Sequence, residues 1–308
     1  MNRLPLLPTL VVCCLPVISQ AAQAWAPGVS SSGGWVDYNK TCTNPNNYMA
    51  DMGMCWAASA SNVITWWQTH NADKLSVANK PENAFNEYET ETYKMNSTWD
   101  VFRTVYKDDG GVPSTAYGWY IDGLGDGSIP ESMDLSLELD KEAGTGVYPF
   151  SLWEGGFLKN VYDTSDVTLS TYVATFNGNS YDFAREIVNA LNGGYALSIS
   201  TYDGGNAHAY TLWGVEYTES DGNVKLSKAW ITNSDDGKEA LVEREVIFKD
   251  APGGHSISFT DDTVPGVALA WQRVDGMRIA IPEPSAFGLL AGMLALAFVG
   301  TSRRSRRS

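Results

Sequence analysis

Residues 51–62 read Asp-Met-Gly-Met-Cys-Trp-Ala-Ala-Ser-Ala-Ser-Asn, and this stretch is the strongest indicator of the fold. A glycine-containing turn leads into Cys55, and apolar and small residues then recur at helical spacing, which predicts a helix over residues 54–69. A thiol at the start of a helix lies near the positive end of the helix dipole, which favours the thiolate. Backbone N–H groups at such a turn can also hold an oxyanion. The stretch therefore predicts a nucleophilic cysteine.

The chain outside this helix changes from helical to strand character. Two shorter helices are predicted over residues 100–106 and 181–191. Six strands are predicted at 195–200, 208–217, 224–232, 241–248, 267–274 and 277–281. Helices first and antiparallel strands second are typical of an α+β domain. Residues 110–171 are rich in Gly, Asp and Ser, and we predict no helix or strand there.

Both ends of the chain have the pattern of targeting segments. Arg3 precedes an apolar run over residues 4–18 and then Ala22-Gln23-Ala24, which predicts a signal peptide over residues 1–24 that signal peptidase removes. Pro282-Glu283-Pro284 precedes 17 apolar residues, 285–301, and four arginines that should hold the end in the cytoplasm. We therefore expect an exported domain over residues 25–281 and a membrane-inserting tail over residues 282–308.

The order of these three parts in the tail resembles the PEP-CTERM sorting signal of surface-polysaccharide-forming bacteria. The resemblance implies that an exosortase-type enzyme recognises Pro-Glu-Pro and removes the apolar helix. It also implies a destination at the cell surface or in the extracellular matrix, after transient anchoring in the inner membrane through residues 285–301. A plain membrane anchor is the alternative interpretation.

The charge of the domain excludes several classes of partner. The chain of 308 residues has 21 Lys and Arg against 36 Asp and Glu, and the two ends account for five of the basic residues and one of the acidic ones. Residues 25–281 thus keep 16 against 35, a net charge of about −19. Nucleic acid and anionic lipid are poor partners for such a domain. We expect contact with a membrane only through the tail.

A second chemical site is predicted at His208, at the start of a strand. The sequence Glu219-Ser220-Asp221-Gly222-Asn223 predicts a turn between this strand and the next, so the two should form a hairpin. If the hairpin folds about residues 220 and 221, His208 lies opposite Asn233, whose amide oxygen can accept the imidazole N–H. A shift of two residues in the register would bring Asp235 there instead.

The chain offers few alternatives to His208 as the base that serves Cys55. His70 follows Cys55 by 15 residues on the same predicted helix, which separates the two by about 22 Å. His255 lies in a glycine-rich stretch that predicts a loop. Three histidines and four cysteines are also too few to suggest a zinc site, so we expect no metal and no cofactor. The competing interpretation of Cys55 is a disulfide with Cys42, which an oxidising compartment would favour.

The order Cys55, His208, Asn233 resembles that of papain-like cysteine proteases. The segments around these residues, together with Asp235, more closely resemble the IdeS/Mac family of secreted immunoglobulin-degrading cysteine endopeptidases. The resemblance implies a papain-like fold, with the nucleophile in an N-terminal helical part and the base in a C-terminal antiparallel sheet. It implies catalytic roles for Cys55, His208, Asn233 and Asp235.

The chain departs from these families at two positions. The family has an aspartate where this chain has Asn233, which is instead the papain-like amide. Papain-like enzymes have an oxyanion-hole glutamine at the position of Met49, and the lysine of IdeS-type enzymes has no aligned counterpart. Three residues are candidates for the missing oxyanion donor: Lys40, Asn46 and Asn47.

Three classes of function agree with this sequence. The first is a cysteine endopeptidase that cleaves protein or peptide substrates through a thioester acyl-enzyme. The second is a cysteine amidase or acyl transferase that acts on the cell wall with the same residues. The third is a non-catalytic surface binding protein, which the 11 Trp and 15 Tyr suggest, although most of them fall within apolar runs and are expected in the core.

Overall fold

The computed structural model describes residues 21–40, 51–70, 98–106, 108–123, 155–156, 168–205, 207–251, 254–260 and 268–280. The predicted leader before residue 21, the tail from residue 282, and Cys42 lie outside these ranges. Within them the helices are α1 (Cys55–His70), α2 (Thr98–Val105), α3 (Pro113–Asp122) and α4 (Ser180–Asn192). The strands are β1 (Ala22–Trp25), β2 (Thr168–Thr175), β3 (Ala196–Tyr202), β4 (Ala207–Ser220), β5 (Asn223–Thr232), β6 (Val242–Glu245), β7 (Ile247–Ala251), β8 (Gly254–Thr260) and β9 (Ala268–Ala280). The domain is α+β, as predicted.

The strands form one antiparallel sheet in the order β6-β5-β4-β3-β9-β8-β7, with β1 added to β4 and β2 added to β9. The two ends of this order, β6 and β7, are consecutive in the chain and separated by Val246 alone. One run of chain therefore pairs with β5 through its first half and with β8 through its second. The same run of chain thus connects the two ends of the strand order.

Helix α1 packs against the sheet and is buried almost all round. Cys55, Ser59 and Asn62 are spaced i, i+4 and i+7, so they share one face of the helix. On that face Ser59 Oγ lies 2.6 Å from Ser198 Oγ in β3, and Asn62 Nδ2 donates to Thr211 Oγ1 in β4 at 3.0 Å. These buried hydrogen bonds set the position of Cys55 along strand β4.

Most predicted elements are confirmed within two residues of their ends, but two strand assignments were wrong. The predicted break between residues 274 and 277 does not exist, because β9 continues through Asp275 and Gly276. Asp275 is fully buried and ion-paired with Arg273 at 2.7 Å. A Cβ on Gly276 would lie 2.5 Å from Leu197, so the glycine marks close packing inside a strand rather than a turn. The predicted strand 241–248 is divided at Val246 into β6 and β7.

Several elements were not anticipated from the sequence. They are β1, α3, β2 and β8. The loop predicted around His255 is in fact strand β8, where the imidazole Nδ1 lies 2.8 Å from Asp250 Oδ1 on the paired strand β7. His255 therefore has an ion-pair partner of its own on the β7–β8 hairpin.

The predicted register of the β4–β5 hairpin was wrong by two residues. Ser220 pairs with Asn223, so the turn consists of Asp221 and Gly222 and not of Ser220 and Asp221. Asp221 has φ 52° and Gly222 has φ 76°, which is the two-residue hairpin turn that requires positive φ at both positions. If the strands continued to pair in this register, Asp235 would lie opposite residue 208. The pairing stops at Thr211 and Thr232, however, and the chain beyond it decides which side chain meets His208.

No helix in the described part of the chain is long and apolar enough to cross a membrane. The predicted apolar segment over residues 285–301 lies outside it.

Candidate active site

Cys55 begins helix α1 directly after a turn formed by residues 51–54. The carbonyl oxygen of Asp51 accepts a hydrogen bond from Met54 N at 3.1 Å, and Asp108 Oδ1 accepts one from Gly53 N at 2.5 Å. A Cβ on Gly53 would lie 3.1 Å from the backbone of Asp109, so the turn packs closely against that loop. In this setting Cys55 is half-buried and is a free cysteine. The disulfide interpretation therefore finds no support at Cys55.

His208 lies one residue after the start of β4, between Cys55 and the end of β5. Its Nε2 donates a hydrogen bond to Oδ1 of Asn233 at 2.9 Å, and the ring of Tyr210 contacts the imidazole edge to face at 4.4 Å. Asn233 Oδ1 also accepts a bond from Asp235 N at 3.1 Å, which fixes the orientation of the amide. Because Nε2 is bound to Asn233, Nδ1 is the imidazole nitrogen left for the thiol.

The thiol and the imidazole shift each other's ionisation. Burial acts to raise the pKa of Cys55, but the hydrogen bond and charge of His208, together with the charge of Lys40 and a backbone bond from Ala209, lower it below its usual value. Burial likewise acts to lower the pKa of His208, and the hydrogen bond and charge of Cys55, with help from Asp235 and Asn233, raise it overall. Both shifts act in the direction of a thiolate and imidazolium ion pair.

An ion pair between Lys40 and Asp235 lies beside Cys55 and His208. The Nζ of Lys40 is 2.7 Å from Asp235 Oδ1 and donates a hydrogen bond to the carbonyl oxygen of Met52 in the turn before Cys55. The Lys40 side chain is only 2% exposed. The other carboxylate oxygen of Asp235 lies 3.6 Å from His208 Nδ1. Asp235 thus links the lysine to the imidazole.

Two irregular segments hold these polar groups. Residues 35–40 form what we call the strap, and residues 233–240 form the Asn233 loop. The strap lies along the loop through a backbone bond from Lys40 N to the carbonyl of Ser234, at 2.8 Å. It is tied to helix α1 by Tyr38 N, which donates to Asn62 Oδ1 at 2.7 Å.

The structure brings together all four site residues predicted from the sequence: Cys55, His208, Asn233 and Asp235. Of the three candidate oxyanion donors, Lys40 lies at the site, whereas Asn46 and Asn47 are outside the described residues, as is Met49. Sequence reasoning named Lys40 only as one of these candidates and did not predict its burial or its ion pair with Asp235. The available signal was that Lys40 follows the apolar residues Trp35 and Val36 closely and precedes Cys55 by 15 residues.

No group of three or more His, Cys, Asp or Glu side chains in the described ranges is arranged to hold a metal ion. The polar groups of the site are instead arranged around one sulfur atom. A cysteine beside an imidazole is the arrangement that acyl transfer through a thioester uses, and a fixed cation is one of the groups that can stabilise the oxyanion formed on the way.

A protein-family model described as Mac 1 matches residues 20–106 and 142–272, and the chain belongs to this family. The IdeS/Mac resemblance predicted from the residues around Cys55 and His208 is therefore confirmed.

The chain is similar to a protein described as an IgM protease, from Streptococcus suis (strain P1/7). The two sequences are 26% identical over 241 residues, which cover 71% of this chain and 19% of the relative. This chain thus matches about a fifth of the length of that protein.

The ion pair between Cys55 and His208 predicts that the thiol is reactive below the pH at which ordinary cysteines react. Because the positive imidazolium holds the thiolate, iodoacetamide at pH 6 should label Cys55 in the native protein about tenfold or more faster than in the urea-unfolded chain. Peptide mass spectrometry measures the rate at Cys55 separately from Cys42. The variant His208→Ala should lose the advantage, and equal rates in native and unfolded protein would contradict the ion pair.

Proposed function

We propose that the chain is a cysteine endopeptidase of papain-like fold, with Cys55 as nucleophile, His208 as acid and base, and Asn233 as the residue that orients the imidazole. The single observation that carries this proposal is the position of His208, which interacts with the Cys55 thiol while its Nε2 donates to Asn233 Oδ1 at 2.9 Å. Membership of the Mac 1 family and similarity to an IgM protease support the same activity.

The reaction follows from the protonation states of the pair. The Cys55 thiolate attacks the carbonyl carbon of the substrate, and the carbon–nitrogen bond breaks as the His208 imidazolium gives its proton to the leaving amine. The thioester that remains is attacked by water, whose proton His208 now accepts. The carboxylic acid product leaves and the thiolate and imidazolium are restored.

Asn233 and Asp235 act on the imidazole in different ways: Asn233 orients the ring, and Asp235 stabilises its positive charge. The neutral amide of Asn233 accepts a hydrogen bond from the Nε2–H of His208 and so leaves Nδ1 directed to the thiol. Asp235 supplies negative charge that favours the imidazolium, at a longer distance of 3.6 Å from Nδ1. The amide of Asn233 thus serves in place of the aspartate that the IdeS-type pattern has at this position, and Asp235 matches the second aspartate of that pattern.

Lys40 is the residue we propose as the second oxyanion donor, beside the backbone N–H groups at the start of α1. Its charge already acts on the Cys55 thiol, and its Nζ is held by Asp235 and the Met52 carbonyl. A fixed cation at this place stabilises the negative oxygen of a tetrahedral intermediate without any reorganisation.

The substrate we propose is a protein, and the similarity to an IgM protease makes immunoglobulin M one substrate to assay. Casein serves as a general protein substrate, and purified peptidoglycan tests the amidase alternative. The binding-protein alternative has little to support it, because in the described ranges Tyr202 is the only aromatic residue among the exposed large hydrophobic side chains. The described tryptophans are mostly core residues.

We also propose that the domain is exported and that its ends are removed as the sequence patterns suggest. The pairing of strand β1 favours one cleavage position for the leader. Ala22, Gln23 and Ala24 pair with residues 215–217 of β4, and Ala24 is only 2% exposed. Cleavage after Ala24 would remove three of the four residues of this strand. Cleavage after Ala21 leaves β1 complete, and Ser19-Gln20-Ala21 also fits the small-x-small pattern of signal peptidase sites.

Substitutions at His208 and Asn233 separate the two roles. His208→Ala should reduce kcat/KM for casein about as far as Cys55→Ala, by roughly a thousandfold or more, since members of one catalytic unit are not additive. Asn233→Ala should lower kcat and leave measurable activity, because it removes orientation and not chemistry. Asn233→Asp should be tolerated. Full activity in His208→Ala would refute the mechanism, and a larger loss in Asp235→Ala than in Asn233→Ala would assign the orienting role to Asp235.

Loss of the Lys40 cation should affect the chemical step. Lys40→Met should lower kcat by roughly 10- to 1,000-fold with little change in KM, as expected for a group that stabilises the transition state. Lys228→Met is the matched control, because Lys228 is ion-paired with Glu243 at 2.7 Å on the surface of β5. Equal kinetics for wild type and Lys40→Met would show that the lysine does not hold the oxyanion.

The intact mass of the protein isolated from its natural host tests the proposed ends. We expect the chain to begin at Ala22, which preserves β1, and to end near Pro282-Glu283-Pro284. A chain that begins at Trp25 would contradict the inference from β1. A chain that retains Arg306 and Arg307 in most of the cell-associated protein would indicate a plain membrane anchor.

A further inference from the structure

The carboxyl group of Asp37, in the middle of the strap, is buried and takes no part in the mechanism proposed above. Asp37 is 8% exposed. Its Oδ2 accepts a hydrogen bond from Ala240 N, in the Asn233 loop, at 3.0 Å. Its Oδ1 is buried without a hydrogen-bond partner among the described residues. A carboxylate that accepts only one hydrogen bond in the interior is poorly stabilised in its charged form.

Asp37 lies where the strap joins the Asn233 loop. On one side of it, Asn39 Nδ2 donates to the Lys238 carbonyl at 3.1 Å and Lys40 N donates to the Ser234 carbonyl at 2.8 Å. These bonds, with the one from Ala240 N to Asp37, join the strap to the loop along its length. Lys40 belongs to the strap and Asp235 to the loop, so the ion pair between them depends on this junction.

The charges near Asp37 oppose its ionisation. Burial raises the pKa of Asp37 to about 7, Asp236 and Glu239 raise it as well, and the Ala240 N–H acts in the opposite direction. Both of these carboxylates belong to the Asn233 loop. The other elements that hold the strap, α1 and β5, present the uncharged side chains of Asn62 and Thr232. An ionised Asp37 is therefore repelled by the loop on which the strap lies.

We propose that Asp37 is a positioning residue whose protonation holds the strap on the Asn233 loop, and that its ionisation loosens the strap and withdraws Lys40 from Asp235. The inference rests on the proposed function, because its catalytic consequence is a loss of peptidase activity as Asp37 loses its proton. The direction follows from linkage. A carboxyl whose pKa is raised by folding stabilises the folded junction at low pH, and this contribution is lost as the pH rises through about 7.

The matched variants are Asp37→Asn and Asp221→Asn. The first keeps an amide oxygen for the Ala240 N–H and cannot ionise. The second makes the same change of charge at the exposed β4–β5 turn, where asparagine tolerates the positive φ of 52°. Asp37→Ala removes the acceptor and should lower activity at every pH.

Hydrogen exchange tests the strap without reference to activity. After correction for the intrinsic rate, exchange of the backbone amides of a peptide that contains residues 38–40 should accelerate in the wild type and in Asp221→Asn between pH 6 and pH 8. In Asp37→Asn the corrected exchange should stay constant. Mass spectrometry of the full chain gives this measurement, and identical profiles for wild type and Asp37→Asn would overturn the proposal.

A second experiment measures kcat as a function of pH, with casein as the substrate or with IgM if the protein cleaves it. At pH 8, kcat for Asp37→Asn should exceed that of the wild type by up to about tenfold, since a group with a pKa of about 7 is about nine-tenths ionised there, whereas at pH 5.5 the two should agree within about twofold. A change in exchange without a change in the kcat profile would refute the coupling to Lys40. If Cys55 reacts with iodoacetamide but no substrate is cleaved, the proposed function fails, and the exchange profile still decides the role of Asp37 in holding the strap.

Discussion

The hydrogen bonds between helix α1 and strands β3 and β4 are the constraint on which the site depends. Ser59 and Asn62 are polar residues of a helix that is buried almost all round, and their bonds to Ser198 and Thr211 are buried. A slide of the helix along the sheet would leave these groups without partners, at a cost of about 1–3 kcal/mol for each buried group. Cys55 shares their face of α1, so the same bonds bring the thiol to His208.

The segments that carry the remaining site residues are attached at the same place. Asn62 Oδ1 accepts the Tyr38 N–H, and Thr232 Oγ1 donates to the carbonyl of Val36 at 3.2 Å. The strap is thus fixed to α1 by one bond and to the end of β5 by another. Because Lys40 ends the strap and Asn233 follows Thr232 directly, both polar groups beside Cys55 and His208 are positioned from one junction.

Groups of opposite charge lie side by side at the site, which is buried at Lys40 and open to solvent at Asp235. The pKa of Cys55 is lowered and that of His208 is raised, so the charged forms of both are favoured beside the ion pair of Lys40 and Asp235. Removal of Asp235 would leave the buried Lys40 ammonium without its ion-pair partner, which is more costly than loss of a fully exposed ion pair. The chemistry and the stability of the site are therefore coupled, and each substitution has to be judged by kinetics and by folding together.

The sequence by itself determined the α+β class and the helix that begins at Cys55, because helical spacing and turn signals are local properties of the chain. It also predicted the four candidate site residues, from those signals, the scarcity of histidine and the family resemblance. It did not determine how His208 meets Asn233. The register predicted for the β4–β5 hairpin was wrong by two residues, yet the contact exists, because pairing ends at Thr211 and Thr232. Beyond that point Asp235 N donates a hydrogen bond to Asn233 Oδ1, and both side chains turn toward the imidazole. The burial of Lys40 and Asp37, the division of one run of chain into β6 and β7, and the unbroken strand β9 were likewise decided only by the tertiary structure. Each depends on contacts between residues far apart in the chain, such as Lys40 with Asp235 and Gly276 with Leu197, and no local pattern encodes the dielectric environment that those contacts create.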